Sequence, residues 1–474
     1  MTLPAKFVER VLRDLGGTEG AALCAALDAE PPVSVRLNPA KTGADTLPAG
    51  PDAGLPVPEA AGLPALAIAG RVPWSRDGRY LAVRPSFTLD PDFHAGAYYV
   101  QEASSQFVGH LLAAVRTEGA RILDLCAAPG GKTTLYASLA GPGGLVVANE
   151  IDRRRASVLA DNVRKWGTGN VAVTTCEPRA LGDFEAWFDV VAVDAPCSGE
   201  GMFRKDPDAR GEWSEGNVKQ CAARQDEILR EAWRALRPGG TLVYSTCTFN
   251  RDEDEGALER MAAWAGDEIA ESEETAVEDA WGIVCGRVGA FRTFRFYPHR
   301  TCGEGFFAAV ARKSFDAGGR VRAPKARRTV FAAVDRKTAG ELARWVRNPG
   351  GMRFAAVADT CYAWYAAQAD AVRTLSEALP VIYSGVALGQ VFKGVLKPDP
   401  ALAFFDGMNR GALPAAELDD EETLRFLRRQ DIAAGGLAEG MNLVCSRGRA
   451  LGFAKRIGAR VNNLYPNSLR IIKQ

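Results

Sequence analysis

Between residues 100 and 313 the apolar positions fall into short unbroken runs separated by longer segments of mixed polarity. The runs are Arg121-Ile-Leu-Asp-Leu-Cys126, Leu145-Val-Val-Ala-Asn149, Val171-Ala-Val-Thr-Thr175, Asp189-Val-Val-Ala-Val-Asp194, Thr241-Leu-Val-Tyr-Ser245 and Gly305-Phe-Phe-Ala-Ala-Val310. Each has the length and composition of a strand buried on both faces. Helical stretches at 132–140, 152–166 and 218–236 separate them, and Arg237-Pro-Gly-Gly240 reads as a glycine stop for the last helix. Strands alternating with helices predict an α/β fold built on a parallel sheet covered on both faces.

Outside that region the pattern changes. Residues 4–28 read as amphipathic helices with Phe7, Val8, Val11, Leu12 and Leu15 on one face, ended by Pro31-Pro32. Residues 39–97 are rich in Pro, Gly and Ala, with short extended pieces such as Tyr80-Leu-Ala-Val83. A second α/β region begins after about 330 and contains a glycine-punctuated, strand-like run, Ile382-Tyr-Ser-Gly-Val-Ala-Leu-Gly389. At 474 residues the chain is too long for one compact core. It divides into an N-terminal region at 1–98, a core at 99–313, a basic linker at 314–330 and a C-terminal region at 331–474.

Composition narrows the function classes. Hydrophobic residues at 47% and charged residues at 24% describe an ordinary folded protein, and 58 Lys plus Arg against 58 Asp plus Glu leaves no global positive field. A nucleic-acid site must then be a local patch, for which the tail around Arg447, Arg449, Lys455, Arg456, Arg460 and Arg470 is a candidate. The acidic residues between 252 and 279 read as a solvated helix face. Ten cysteines without a C-x-x-C pair argue against a zinc module or disulfide scaffold and for a reducing compartment. His94, His110 and His299 leave little for histidine catalysis, so no metal is expected. With no apolar run of membrane-spanning length, the chain reads as cytoplasmic.

The first chemical motif is Asp124-Leu-Cys-Ala-Ala-Pro-Gly-Gly-Lys-Thr-Thr134, a strand entering a tight turn and then a helix. Gly130 and Gly131 let a ligand approach the backbone, and a new helix presents N–H groups with no intrahelical acceptor. Glu150, at the end of the second strand, stands where a carboxylate grips ribose hydroxyls in dinucleotide-type folds. A P-loop is disfavoured because its first glycine is replaced by Cys126. The second motif, Asp194-Ala-Pro-Cys-Ser-Gly199, follows the fourth strand, and the third, Tyr244-Ser-Thr-Cys-Thr-Phe-Asn250, follows the fifth. Both cysteines therefore sit at the carboxyl edge of the sheet, where open α/β sheets bind ligands. A lone cysteine is usually a small core residue, but Pro, Ser, Gly and Thr flank these two. Two thiols, a carboxyl group and a nucleoside pocket suit methylation at cytosine C5, where a thiolate adds to C6 and makes C5 nucleophilic.

These motifs, with Tyr99-Val-Gln-Glu-Ala-Ser-Ser105 and Pro298-His-Arg-Thr-Cys-Gly-Glu-Gly-Phe-Phe307, resemble the Sun family of RNA (cytosine-5)-methyltransferases, most closely its bacterial RsmF type. Weaker likeness continues in Gly385-Val-Ala-Leu-Gly389 and Gly452-Phe-Ala-Lys-Arg456. The resemblance implies a Rossmann-like S-adenosylmethionine-dependent methyltransferase core, a small N-terminal domain and a C-terminal α+β extension with a PUA-like RNA-binding module. It implies Cys247 as nucleophile, Cys197 in product release, Asp194 on the cytosine edge and Lys132 beside it. The cofactor would be held by Cys126, Ala127, Ala128, Pro129, Gly130, Gly131, Lys132, Glu150, Arg155 and Asp194, with Glu177 replacing the family's usual Asp near the adenine. RNA, chiefly 16S rRNA or the small ribosomal subunit, would be the partner of a monomer, contacted by the N-terminal region, Arg204-Lys205 and the C-terminal module. A transfer RNA substrate, or a non-catalytic RNA-binding or NTP-dependent assembly factor, are the alternatives.

Overall fold

The computed structural model describes residues 2–43 and 63–472. Part of the Pro, Gly and Ala-rich stretch, at 44–62, lies outside the described residues. The core is a ten-stranded mixed sheet. Its central strands are β1 (Arg121–Asp124), β2 (Leu145–Asn149), β3 (Val171–Thr174), β4 (Phe188–Asp194) and β5 (Leu236–Thr246), which pair in parallel in the order β5-β4-β1-β2-β3. The reversal of direction in the chain between β1 and its two neighbours, β2 and β4, creates a crevice at their carboxyl ends.

The sheet is not wholly parallel, as the alternation of strands and helices predicts. β6 (Val284–Val288), β7 (Phe291–Phe296) and β8 (Phe306–Lys313) extend it antiparallel beyond β5, because short hairpin connections leave no helix to cross back. At the other edge, β9 (Val381–Ser384) pairs antiparallel with β3. One strand of the region 331–474 therefore completes the core sheet. The strand-like run at 382–389 splits at Gly385, whose φ is +60° and where a Cβ would strike the Ala363 carbonyl oxygen. Only glycine makes that corner cheaply. Past it, β10 (Val386–Phe392) joins a five-stranded sheet and leaves the core.

Successive strand residues face opposite layers. Ile122, Val146, Val190 and Val243 pack on one face with α3 (Gly131–Ala140) and α4 (Arg153–Trp166), while Leu123, Val147, Val191 and Leu242 face α5 (Glu215–Ala235). At roughly 1.5–3 kcal/mol per buried aliphatic side chain, these two layers dominate the core's stability and fix the strand ends that carry the motifs. The stop after α5 differs from expectation: the helix ends at Ala235, directly before extended Leu236, and Arg237-Pro-Gly-Gly240 lies inside β5 at an irregularity in its pairing with β4.

At the N-terminus α1 (Ala5–Leu15) and α2 (Gly17–Leu27) bury Phe7, Val11, Leu23 and Leu27 against Phe203, Trp213 and Phe249 of the core. A four-stranded sheet follows, in which Val33–Leu37 pairs with Tyr98–Tyr99. The basic linker is pinned to the surface: Arg328 donates to the carbonyls of Ser376 and Leu379. A final four-stranded sheet, residues 415–463, closes the C-terminal module.

Candidate active site

The turn after β1 delivers Cys126 to Lys132 to the crevice. Gly130 has φ +112° and caps α3 without a side-chain hydrogen bond, so the helix begins with backbone N–H groups turned toward the strand ends. Asp124 is buried; its Oδ2 accepts from Thr133 Oγ1 at 2.6 Å and its Oδ1 has no partner. Burial raises its carboxyl to about 7 despite that hydrogen bond. Glu150, at the end of β2, is 4% exposed, accepts from Asp152 N at 3.0 Å and lies 3.3 Å from Arg155, which also donates to the Ala128 carbonyl. A glycine turn, a helix N-terminus, an orphaned buried carboxylate oxygen and a ribose-level carboxylate fit an adenosine cofactor. Glu177 is exposed beyond β3, at the start of a short helix.

Two loops close the other side of the crevice. Asp194 ends β4, and its Oδ2 lies 2.7 Å from Lys132 Nζ while its Oδ1 accepts from Ser245 Oγ at 2.8 Å. Burial pulls Lys132 down, but the charge of and hydrogen bond to Asp194 outweigh it, with Glu102 and Cys247 adding to a net rise. The ammonium therefore stays charged, held 5.2 Å over the Phe306 ring. Lys132 reaches across the strand ends to Asp194. Cys197 and Cys247, fifty positions apart in sequence, place their sulfurs 3.3 Å from each other. The hydrogen bond with Cys247 is the main cause that pushes the Cys197 thiol well above its ordinary range, with burial next.

Several residues at the site escape sequence reasoning. Arg36, from the N-terminal sheet, is buried and donates to Gln101 Oε1, the Gly131 carbonyl and Thr134 Oγ1, tying that domain to the start of α3. Glu253 and Asn250 lie under the two cysteine loops: Glu253 accepts from Ser198 N, and Asn250 Nδ2 contacts Ser198 Oγ, Thr248 Oγ1, Glu200 and Glu253. The solvated-face reading of residues 252–279 thus fails at its start, where Glu253 and Asp254 are fully buried and Asp254 pairs with Arg295 at 3.0 Å. A charge run that follows a catalytic-type loop was the available signal.

The basic residues also need correction. Arg204 is 5% exposed and bound to Glu304 and the Gly303 carbonyl, so it faces inward; Lys205 is 31% exposed. Arg447 and Arg449 pair with Asp90 and Asp92 of the N-terminal domain, and Arg456 donates to the Ala434 and Leu437 carbonyls. Lys455, Arg460 and Arg470 remain exposed. Among the described residues no group of three or more His, Cys, Asp or Glu could hold a metal ion, and no helix is long and apolar enough to cross a membrane.

Comparison with known proteins adds the family. Three family models match in series: the N-terminal domain of 16S rRNA methyltransferase RsmF at residues 3–103, 16S rRNA methyltransferase RsmB/F at 111–312 and the methyltransferase RsmF PUA domain at 414–471. Ribosomal RNA small subunit methyltransferase F of Shewanella loihica is 31% identical over 418 residues, covering 84% of this chain and 83% of that protein. The chain belongs to the RsmB/F methyltransferase family. The same-named protein of Escherichia coli (strain SE11) is 32% identical over 424 residues, 84% of each chain. A crystal structure of a methyltransferase homologue from Pyrococcus horikoshii is 27% identical with a TM-score of 0.53, covering 65% of this chain and 94% of that one. The structure of NSun6 from the same organism with SFG shares the fold, with a TM-score of 0.53 at 21% identity over 65% of this chain and 98% of that one. Membership makes the protein an S-adenosylmethionine-dependent methyltransferase.

Proposed function

We propose that this protein methylates cytosine C5 in 16S rRNA through a transient bond between Cys247 and cytosine C6. The observation that carries the reading is the pair of sulfurs 3.3 Å apart beside the Lys132–Asp194 pair. When bound, S-adenosylmethionine supplies an electrophilic methyl group. Cys247 adds to C6, and the electron pair displaced onto C5 takes that methyl. Asp194, with its second oxygen held by Ser245, meets the N3/N4 edge of the base, and Lys132 keeps positive charge beside a thiolate. A base then takes the C5 proton, the C5–C6 double bond reforms, and the carbon–sulfur bond breaks with its electrons returning to Cys247. Cys197 assists that departure.

A thiol at a sheet edge cannot reach a base inside a stack, so the target cytosine is flipped out or single-stranded. The family names support a ribosomal substrate, and the reading places a monomer in the cytoplasm, where that RNA is made. The test is nucleoside mass spectrometry of 16S rRNA and transfer RNA after incubation with purified protein and S-adenosylmethionine. 5-Methylcytosine in 16S rRNA, absent with Cys247→Ala, is expected; methylation at another atom, or undiminished methylation by Cys247→Ala, contradicts the reading.

A further inference from the structure

The loop after β4 carries Cys197 and the loop after β5 carries Cys247. A buried polar cluster joins them. Glu253 Oε2 accepts from Ser198 N and from Gln225 Nε2, both at 2.9 Å, and its Oε1 accepts from Asn250 Nδ2 at 2.7 Å. Asn250 Oδ1 in turn accepts from Glu253 N at 3.0 Å. Glu200 accepts from Phe249 N and Trp213 Nε1, and Gly201 N donates to the Cys247 carbonyl, so each loop is tied to the other at several points. Three N–H donors meet the Glu253 carboxyl, and the Ser198 hydroxyl stands beside it. Burial raises the Glu253 carboxyl, and the hydrogen bonds from Ser198 and Asn250 oppose that rise by favouring the carboxylate.

We propose that Glu253 is the positioning residue that sets the division of labour between the two thiols: through Ser198 N and Asn250 it fixes the Cys197 loop against the Cys247 loop, so that the Cys197 S–H faces the Cys247 sulfur. The inference rests on the covalent reading above. Lys132, by contrast, stands on the Cys247 side of the pair. The charged or titratable groups facing Cys197 are Cys247 at the end of β5, Tyr244 within β5 and Glu253 from the loop that follows. The hydrogen bond with Cys247 and then burial push the Cys197 thiol up, and the charges of Cys247 and Glu253 add to that. A protonated Cys197 can donate its S–H to the Cys247 sulfur across 3.3 Å. That hydrogen bond stabilises the thiolate which forms when the C6–S bond breaks, and no proton need be lost from Cys197 in the cycle. Glu253→Gln removes the charge and turns an NH₂ toward N–H donors. Asn250 cannot flip to receive it without giving up its bond from Glu253 N.

Glu253→Gln, Glu253→Asp and Cys197→Ala are compared for turnover and for the steady-state fraction of protein covalently bound to 16S rRNA. The expected result is at least a tenfold loss of turnover in Glu253→Gln with adduct accumulating as in Cys197→Ala, and less adduct in Glu253→Asp, which keeps the charge. Adduct formation lost in parallel with turnover, or normal turnover, overturns the proposal. A second readout needs no RNA and covers a Glu253→Gln protein that fails to fold. In the native wild-type protein at pH 7.5, iodoacetamide followed by peptide mass spectrometry should label Cys247 at least tenfold faster than Cys197; equal rates, or faster labelling of Cys197, overturn the assignment. If Cys197→Ala gives no adduct, the covalent reading falls, and the labelling ratio, measured in wild type and in Glu253→Asp, still decides whether Glu253 differentiates the two thiols.

Discussion

Lys132 and Asp194 show how one contact narrows a residue's role. Sequence places Lys132 after a glycine turn, where a phosphate-binding lysine and a base-side lysine look alike; the 2.7 Å contact with Asp194 favours the second. Lys132→Met should lower kcat by roughly a hundredfold, the usual scale for removing one electrostatic contact at a reacting centre, measured by steady-state methylation. Retained kcat would remove Lys132 from the chemistry. Cys197, Cys247, Asp194 and the glycine turn were legible because each follows a recognisable buried run. Glu253 was not, because an acid in an acidic stretch looks the same whether its oxygens meet water or three N–H donors. Arg204, Arg447 and Arg449 were misread for the same reason: the side chain announces charge, and only the fold says which carboxylate consumes it.

At the level of elements, the parallel centre was readable from its apolar runs, while the antiparallel edges were not. β9 pairs with β3 across two hundred residues, and nothing local in Val381–Ser384 points to that partner. The join between the N-terminal domain and α4 is similarly long-range. Lys41 donates to the Ala95 carbonyl at 2.8 Å and the Lys165 carbonyl at 2.5 Å. Burial lowers its ammonium to about 7, with Asp406 opposing and Arg410, Lys165 and Arg449 assisting. A neutral amine still supplies both N–H bonds. Between pH 7 and about 10 the unfolded chain binds a proton that folded Lys41 does not, so its contribution to stability grows as pH rises through that window and is least below 7. The Tm gap between wild type and Lys41→Met should therefore widen by several degrees from pH 6.5 to pH 9.5 in thermal scans, since ~1 kcal/mol moves Tm by about 2–4 °C. A constant or shrinking gap would contradict the assignment.

Across the whole molecule, the N-terminal domain and the C-terminal module meet through Asp90 and Asp92 on one side and Arg447 and Arg449 on the other, so the basic tail divides into residues that join the two and residues left exposed. Replacing exposed Lys455, Arg460 and Arg470 together by Ala should weaken 16S rRNA binding and flatten its dependence on log salt by up to about three units, with Tm unchanged. Arg449→Ala should instead lower Tm, because it leaves buried Asp92 short of a partner. Binding isotherms at several salt concentrations and calorimetry separate the two; a triple variant with an unchanged salt slope would move the RNA surface elsewhere.

The central claim is that Cys247 bonds to the base and Cys197 lets it go. It is tested most directly by incubating the wild type, Cys197→Ala and Cys247→Ala proteins with S-adenosylmethionine and 16S rRNA and resolving the products by denaturing electrophoresis. A slowly migrating protein–RNA species that accumulates only with Cys197→Ala is the predicted result. Accumulation with Cys247→Ala, or with neither variant, would contradict it.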